Sequence, residues 1–109
     1  MAFIQPKKKW AEIANAGSTT QTIAAAVTGK SYRVLSYTVS AAAACVVQFK
    51  SNTTTLNGGG LQFVGAVIAP FASGYNPDGH FQTAPGAALN CVVTGAVAVS
   101  GNLEYLEVV

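Results

Sequence analysis

The hydrophobic period along this chain is two. In Arg33 to Val39, the residues Arg33, Leu35, Tyr37 and Val39 fall on one side and Tyr32, Val34, Ser36 and Thr38 on the other. Cys45, Val47 and Phe49 alternate with Val46, Gln48 and Lys50. Leu89, Cys91 and Val93 alternate with Ala88, Asn90, Val92 and Thr94. A two-residue period puts one set of side chains inward and the other outward on a pleated strand, and no helix can use it. The β-branched and aromatic residues in these runs reinforce the reading.

Turn signals separate the runs. A first strand near Trp10 to Ala14 is followed by Ala16-Gly17-Ser18. Thr28-Gly29-Lys30 precedes the Tyr32 run, Asn57-Gly58-Gly59-Gly60 precedes Leu61 to Ile68, and Ala84-Pro85-Gly86 precedes the Leu89 run. Ser100-Gly101-Asn102 reads as a tight hairpin joining Ala96–Val99 to Leu103–Val108. Short strands with turns about every ten residues predict an antiparallel sandwich or barrel. The alanine stretches Ala24–Ala26 and Ala41–Ala44 oppose this, since alanine favours helix. Both are short and lie between Val, Thr and Ser, so they read as strand ends, with room for a single helical turn. Pro70 to Gly79 is the one long loop, and Asn76-Pro77-Asp78-Gly79 within it is strong turn chemistry.

The expected core is Leu35, Tyr37, Val39, Cys45, Val47, Phe49, Leu89, Cys91, Val93, Leu103 and Tyr105. With 109 residues the chain fits one domain, here 10–109, preceded by an extended N-terminal arm at 1–9. Pro6 holds the arm extended and Lys7, Lys8 and Lys9 repel one another. The arm is expected to lie on a partner protein, with the three lysines facing acidic groups there.

Only 9% of the residues are charged while 50% are hydrophobic. Ordinary soluble domains carry roughly 25% charged residues. Ser, Thr, Asn, Gln and Gly supply the polar face, and a surface so weakly charged favours association. No apolar run reaches membrane-spanning length and no secretion signal is visible, so neither a membrane partner nor export is expected. Three lysines beside Trp10 in a domain of net charge +2 are too small a footprint for nucleic acid.

Catalytic and metal chemistry have little to work with. His80 is the only histidine, with Asp78 and Ser73 in the same loop, but no nucleophile motif accompanies them. Cys45, Cys91 and His80 are too few for a closed metal site. Both cysteines fall on inward positions and read as small buried hydrophobes, their pairing left open. Asn57 to Gly60 lacks the context of a phosphate loop. Asn52-Thr53-Thr54 matches a glycosylation sequon and reads as chance. No cofactor is expected. Phe71, Tyr75 and Phe81 gather around the long loop, as a carbohydrate-stacking platform or, with more weight, as an interface.

Several segments resemble a group of small tailed-bacteriophage virion proteins: Tyr32-Arg33-Val34-Leu35-Ser36-Tyr37, Val47-Gln48-Phe49-Lys50-Ser51, Ala69-Pro70-Phe71, His80 to Asn90, and Val97 to Tyr105. The resemblance covers roughly Ser31 to Val109. It implies a jelly-roll-like β-sandwich of about eight short strands, often trimeric, made in the host cytoplasm and displayed on the virion. The implied role is capsid decoration (cement): binding the major capsid protein and stabilising the shell. A tail-associated host-recognition or carbohydrate-binding module is the alternative, and an enzyme is a distant third. The resemblance brings no catalytic residues. The expected partner-binding residues are Lys7, Lys8, Lys9, Trp10, Phe71, Tyr75 and Phe81.

Overall fold

The computed structural model describes residues 8–58, 60–64 and 70–109. Among them there is no helix, and ten strands occur: β1 Lys8–Asn15, β2 Thr20–Ala24, β3 Ser31–Ala41, β4 Cys45–Ser51, β5 Thr54–Thr55, β6 Leu61–Phe63, β7 Phe71–Ser73, β8 Phe81–Gln82, β9 Leu89–Thr94 and β10 Val99–Val108. All pairings are antiparallel. The first sheet runs β1-β10-β3, with β7 and β8 both on the far edge of β3. The second runs β2-β9-β4, with β5 and β6 both on the far edge of β4.

The two split edges are interrupted single strands. β7 lies against Tyr37–Val39 and β8 against Arg33–Val34. β5 lies against Lys50–Ser51 and β6 against Val47–Cys45. In the gap between β5 and β6 the Asn57 side chain takes the place of a backbone partner. Its Oδ1 accepts from Phe49 N–H at 3.1 Å, and its Nδ2 donates to Val47 O at 3.4 Å. Counting each interrupted edge once gives eight strands, four per sheet. The chain then changes sheet at every connection except that leaving β4. This is the strand order of a jelly roll, the expected fold.

The core fills the space between the sheets, and all eleven expected core residues are buried. Ile13, Tyr32, Val34, Phe63 and Val99 join them. The additions on β3 have one cause. Along β10 every partner steps regularly until Glu104 faces Ser36 and Tyr105 faces Val34, which leaves Leu35 as the extra residue of a β-bulge. The inward set is therefore Tyr37, Val39 and Ala41 on one side of the bulge and Tyr32 and Val34 on the other. A single alternation cannot follow both halves. Leu35 is fully buried but outside the inter-sheet cluster, on the outer side of the first sheet.

Two sequence expectations are corrected. Ser100-Gly101-Asn102 is not a hairpin but the interior of the ten-residue strand β10. Gly101 sits between Ile13 and Val39, and a Cβ there would lie 1.9 Å from Thr38 O. The glycine serves close backbone approach rather than a turn. Lys8 and Lys9 are not in a free arm, since they open β1 opposite Leu106 and Tyr105. Residues 1–7, including Lys7, lie outside the described residues, as does most of the second half of the expected Leu61–Ile68 strand. The alanine stretches end β2 at Ala24 and β3 at Ala41 without a helical turn.

Asn15, 3% exposed, ties the sheets together where β1 turns into β2. Its Nδ2 donates to Thr19 O at 3.1 Å and to Cys91 O on β9 at 3.2 Å, while its Oδ1 accepts from Gly17 N–H at 2.8 Å. Outside it, Gln21 bridges the two edge strands, accepting from Ala14 N–H at 2.8 Å and donating to Glu12 O at 2.9 Å.

Candidate functional site: the outer face of the first sheet

Ile13 points into the core, so the alternation of β1 sends Lys8, Trp10 and Glu12 to the outer face. The same rule sends Glu104 outward between Leu103 and Tyr105. The register then sets Trp10, Glu104 and Ser36 in one row across β1, β10 and β3. Trp10 is 67% exposed and Glu104 only 7%.

The loop between β7 and β8 accounts for part of that burial. It is anchored on the bulge. Asn76 N–H donates to Leu35 O at 2.9 Å and His80 N–H to Val34 O at 2.8 Å. The predicted turn is present, with Asp78 N–H donating to Asn76 Oδ1 at 3.0 Å, Gly79 N–H to Asn76 O at 2.9 Å, and Gly79 at φ +85°. From this anchor Tyr75 reaches β1, where the Lys8 ammonium stands 4.4 Å from the centre of its ring. Contact with the Tyr75 side chain holds the Lys8 ammonium above its ordinary pKa, and the charge of Glu104 adds to this. Lys8, Trp10, Tyr75 and Glu104 thus form one polar-aromatic cluster.

The other expected site residues go elsewhere. Lys9 follows the odd, inward phase and pairs with Glu107 at 3.1 Å, and Lys30 meets the same carboxylate at 3.2 Å. Phe71 and Phe81 pack on Tyr37, each with ring centres 5.8 Å away, and Phe81 stacks on Phe49 at 5.5 Å. They belong to the core margin, apart from the Lys8–Tyr75 contact. Phe71, still 41% exposed, also lines an open hollow of about 410 Å³ with Leu61, Phe63 and Pro70. Glu104 is the residue that sequence reasoning missed. Alternation marks it as outward, and only the tertiary structure makes it buried.

Ser73 and His80 do meet, with Nε2 2.8 Å from Ser73 Oγ. The same nitrogen lies 2.7 Å from Gly74 O, a carbonyl that can only accept. The Gly74 carbonyl favours the proton on Nε2, which leaves Nδ1, 3.4 Å from Ser73 Oγ, as the ring's acceptor. Asp78 makes no hydrogen bond to His80 among the described residues, so no orienting carboxylate completes a triad. Cys45 and Cys91 are both buried and unpaired. Cys91 lies opposite Phe49, four residues along β4 from Cys45. That is a separation of about 13 Å at the strand rise, well beyond disulfide reach. The Asn52 side chain of the sequon accepts from Ala88 N–H at 2.9 Å, bracketing a turn.

Comparison of the chain with protein-family models, with curated proteins and with solved structures finds no match.

Proposed function

We propose that this chain is a structural virion protein of a tailed bacteriophage that decorates the capsid, associating with itself as a trimer and with the major capsid protein. The observation that carries the reading is a jelly-roll sandwich in which four of the five described basic residues have a partner within the chain. Lys9 and Lys30 converge on Glu107, Lys8 rests on Tyr75, and Arg33 Nε donates to Gln82 Oε1 at 2.9 Å. Arg33 and Lys50 apart, what is outward on β2, β3 and β4 is mainly Thr, Ser and Gln with apolar residues. Interface cores are depleted in charge in this way. The same pairing leaves few free cations for nucleic acid, and the resemblance of Ser31 to Val109 to phage virion proteins supports the assignment. A protein that binds only the assembled shell stabilises it by its binding free energy, and a trimer gains further by engaging several sites at once.

Light scattering at micromolar concentration should give the mass of a trimer, and undecorated shells of the virus should take up the protein to saturation and resist heat better. A monomer that leaves shells unoccupied would end this reading. A truncation testing the N-terminal arm should remove residues 2–7 only, since Lys8 and Lys9 are strand residues paired with β10.

A further inference from the structure

We infer that the outer face of the first sheet is a glycan-binding platform, with Trp10 as the stacking surface and Glu104 and Lys8 as its polar contacts, for a neutral hexopyranose unit. The inference goes beyond shell binding and does not depend on it.

Three observations converge. Trp10 presents a large aromatic side chain, 67% exposed, on a strand whose backbone is paired along its whole length with β10. The paired strand fixes the backbone from which the ring projects, and placing an apolar face on the ring removes that surface from water. Directly opposite, Glu104 is 7% exposed yet makes no ion pair or hydrogen bond among the described residues. A carboxylate so placed is short of donors. Its oxygens are not sealed, because Asn90 Oδ1 is the single fully enclosed side-chain polar atom without a partner among the described residues. Beside it, the Lys8 ammonium rests on the Tyr75 ring, leaving N–H donors on the side away from the ring.

A pyranose matches this set. One face is apolar C–H and its rim carries hydroxyls that donate and accept. Side chains directly opposite across an antiparallel pair have Cβ atoms about 4.5–5.5 Å apart, so one sugar ring stacked on Trp10 brings its rim over Glu104. Its hydroxyls donate to the carboxylate and accept from Lys8. Charge decides the ligand class. The site holds one negative and one positive group side by side, so a cationic side chain meets Lys8 and an acidic sugar meets Glu104.

Trp10 is the only tryptophan of the chain, so its emission reports the site alone. Full-length protein is titrated with the methyl glycosides of glucose, galactose, mannose and N-acetylglucosamine, and applied to a glycan array. A saturable emission change with at least one neutral hexose is expected, with affinity unchanged between low and high salt. Glu104→Gln should weaken that binding at least tenfold, Trp10→Ala should abolish it by calorimetry, and Phe71→Ala should leave it intact. If Glu104→Gln fails to fold, Lys8→Met on the exposed edge replaces it with the same tenfold loss expected. No response to any glycoside or arrayed glycan overturns the proposal. So does binding that survives Glu104→Gln, or a Trp10→Ala protein that loses only shell binding or self-association, which would make the face a protein interface.

Discussion

Cys91 is fully buried opposite Phe49, and burial pushes its thiol up to about 12. Cys45, also buried, is raised for the same reason. The thiolate is the reactive form. Both thiols should therefore label slowly in the native protein and quickly in denaturant, as a timed thiol-reagent assay will show. Cys91→Ser puts a hydroxyl into the core and should cost about 1–3 kcal/mol in urea unfolding. Gly101 is the second sensitive residue. At φ +153° it lies so close to β3 that a methyl group would strike Thr38 O. Gly101→Ala forces the two central strands of the first sheet apart and should cost about 2–3 kcal/mol. For a domain of this size each kcal/mol lowers Tm by about 4 °C or more, so a thermal melt reads the effect directly.

Among the elements, β1 and β2 are the uninterrupted edge strands of the two sheets. Two side chains bind them, at different depths. Asn15 satisfies three backbone groups, one of them Cys91 O in the opposite sheet. Gln21 satisfies two at the exposed edge. A buried group left without its partner costs more than an exposed one, which water can serve. Asn15→Leu should therefore destabilise by about 2–3 kcal/mol and Gln21→Ala by about 1 kcal/mol or less. Hydrogen exchange should speed up at Ala14 N–H in the Gln21 variant while β9 stays protected. Equal losses in the two variants would show that Asn15 does not join the sheets. The interrupted edges β5/β6 and β7/β8 follow a related logic. Short, broken edge strands offer little backbone for stray pairing.

For the whole molecule, the Lys9–Glu107–Lys30 cluster sets the response to pH. Hydrogen bonds from Lys9 and then Lys30 hold the Glu107 carboxyl below its ordinary value, and Glu107 in turn holds Lys9 above its own. A carboxyl depressed in the folded state binds fewer protons there than in the unfolded chain. Its contribution is complete above the ordinary glutamate pKa of about 4.3 and disappears as pH falls through the lower folded value. Lys9 contributes below the ordinary lysine pKa of about 10.4 and loses this as pH rises through the higher folded value. All three side chains remain partly exposed, so the effect is small and screened by salt. Glu107→Gln should lower the urea midpoint slightly at pH 7, and the gap to the parent protein should close as the pH is brought below about 4. A gap that persists in acid would mean that the substitution acts through packing rather than charge.

Local alternation and turn chemistry were enough to specify an all-β chain, the inward faces of β4 and β9, the core residues Leu103 and Tyr105 of β10, and the Asn76–Gly79 turn. These are properties of neighbouring residues, and the pleat carries them without help from the rest of the fold. The phase of β3 was not legible, since the bulge at Leu35 exists only when β10 is alongside. Gly101 resembled a turn residue because a short polar run with a central glycine has the same composition whether the chain reverses or a second backbone comes near. The site divided in the same way. Lys8, Trp10 and Tyr75 stood out as residue types, but Phe71 and Phe81, which flank Tyr75 in sequence, pack on Tyr37 at the core margin instead. Glu104 gave no local sign at all. Its burial, and its place beside Trp10 and Lys8, come from a strand 94 residues away pairing in one register and a loop folding back across the sheet. Contacts of that range are set by tertiary packing, which no short window of sequence contains.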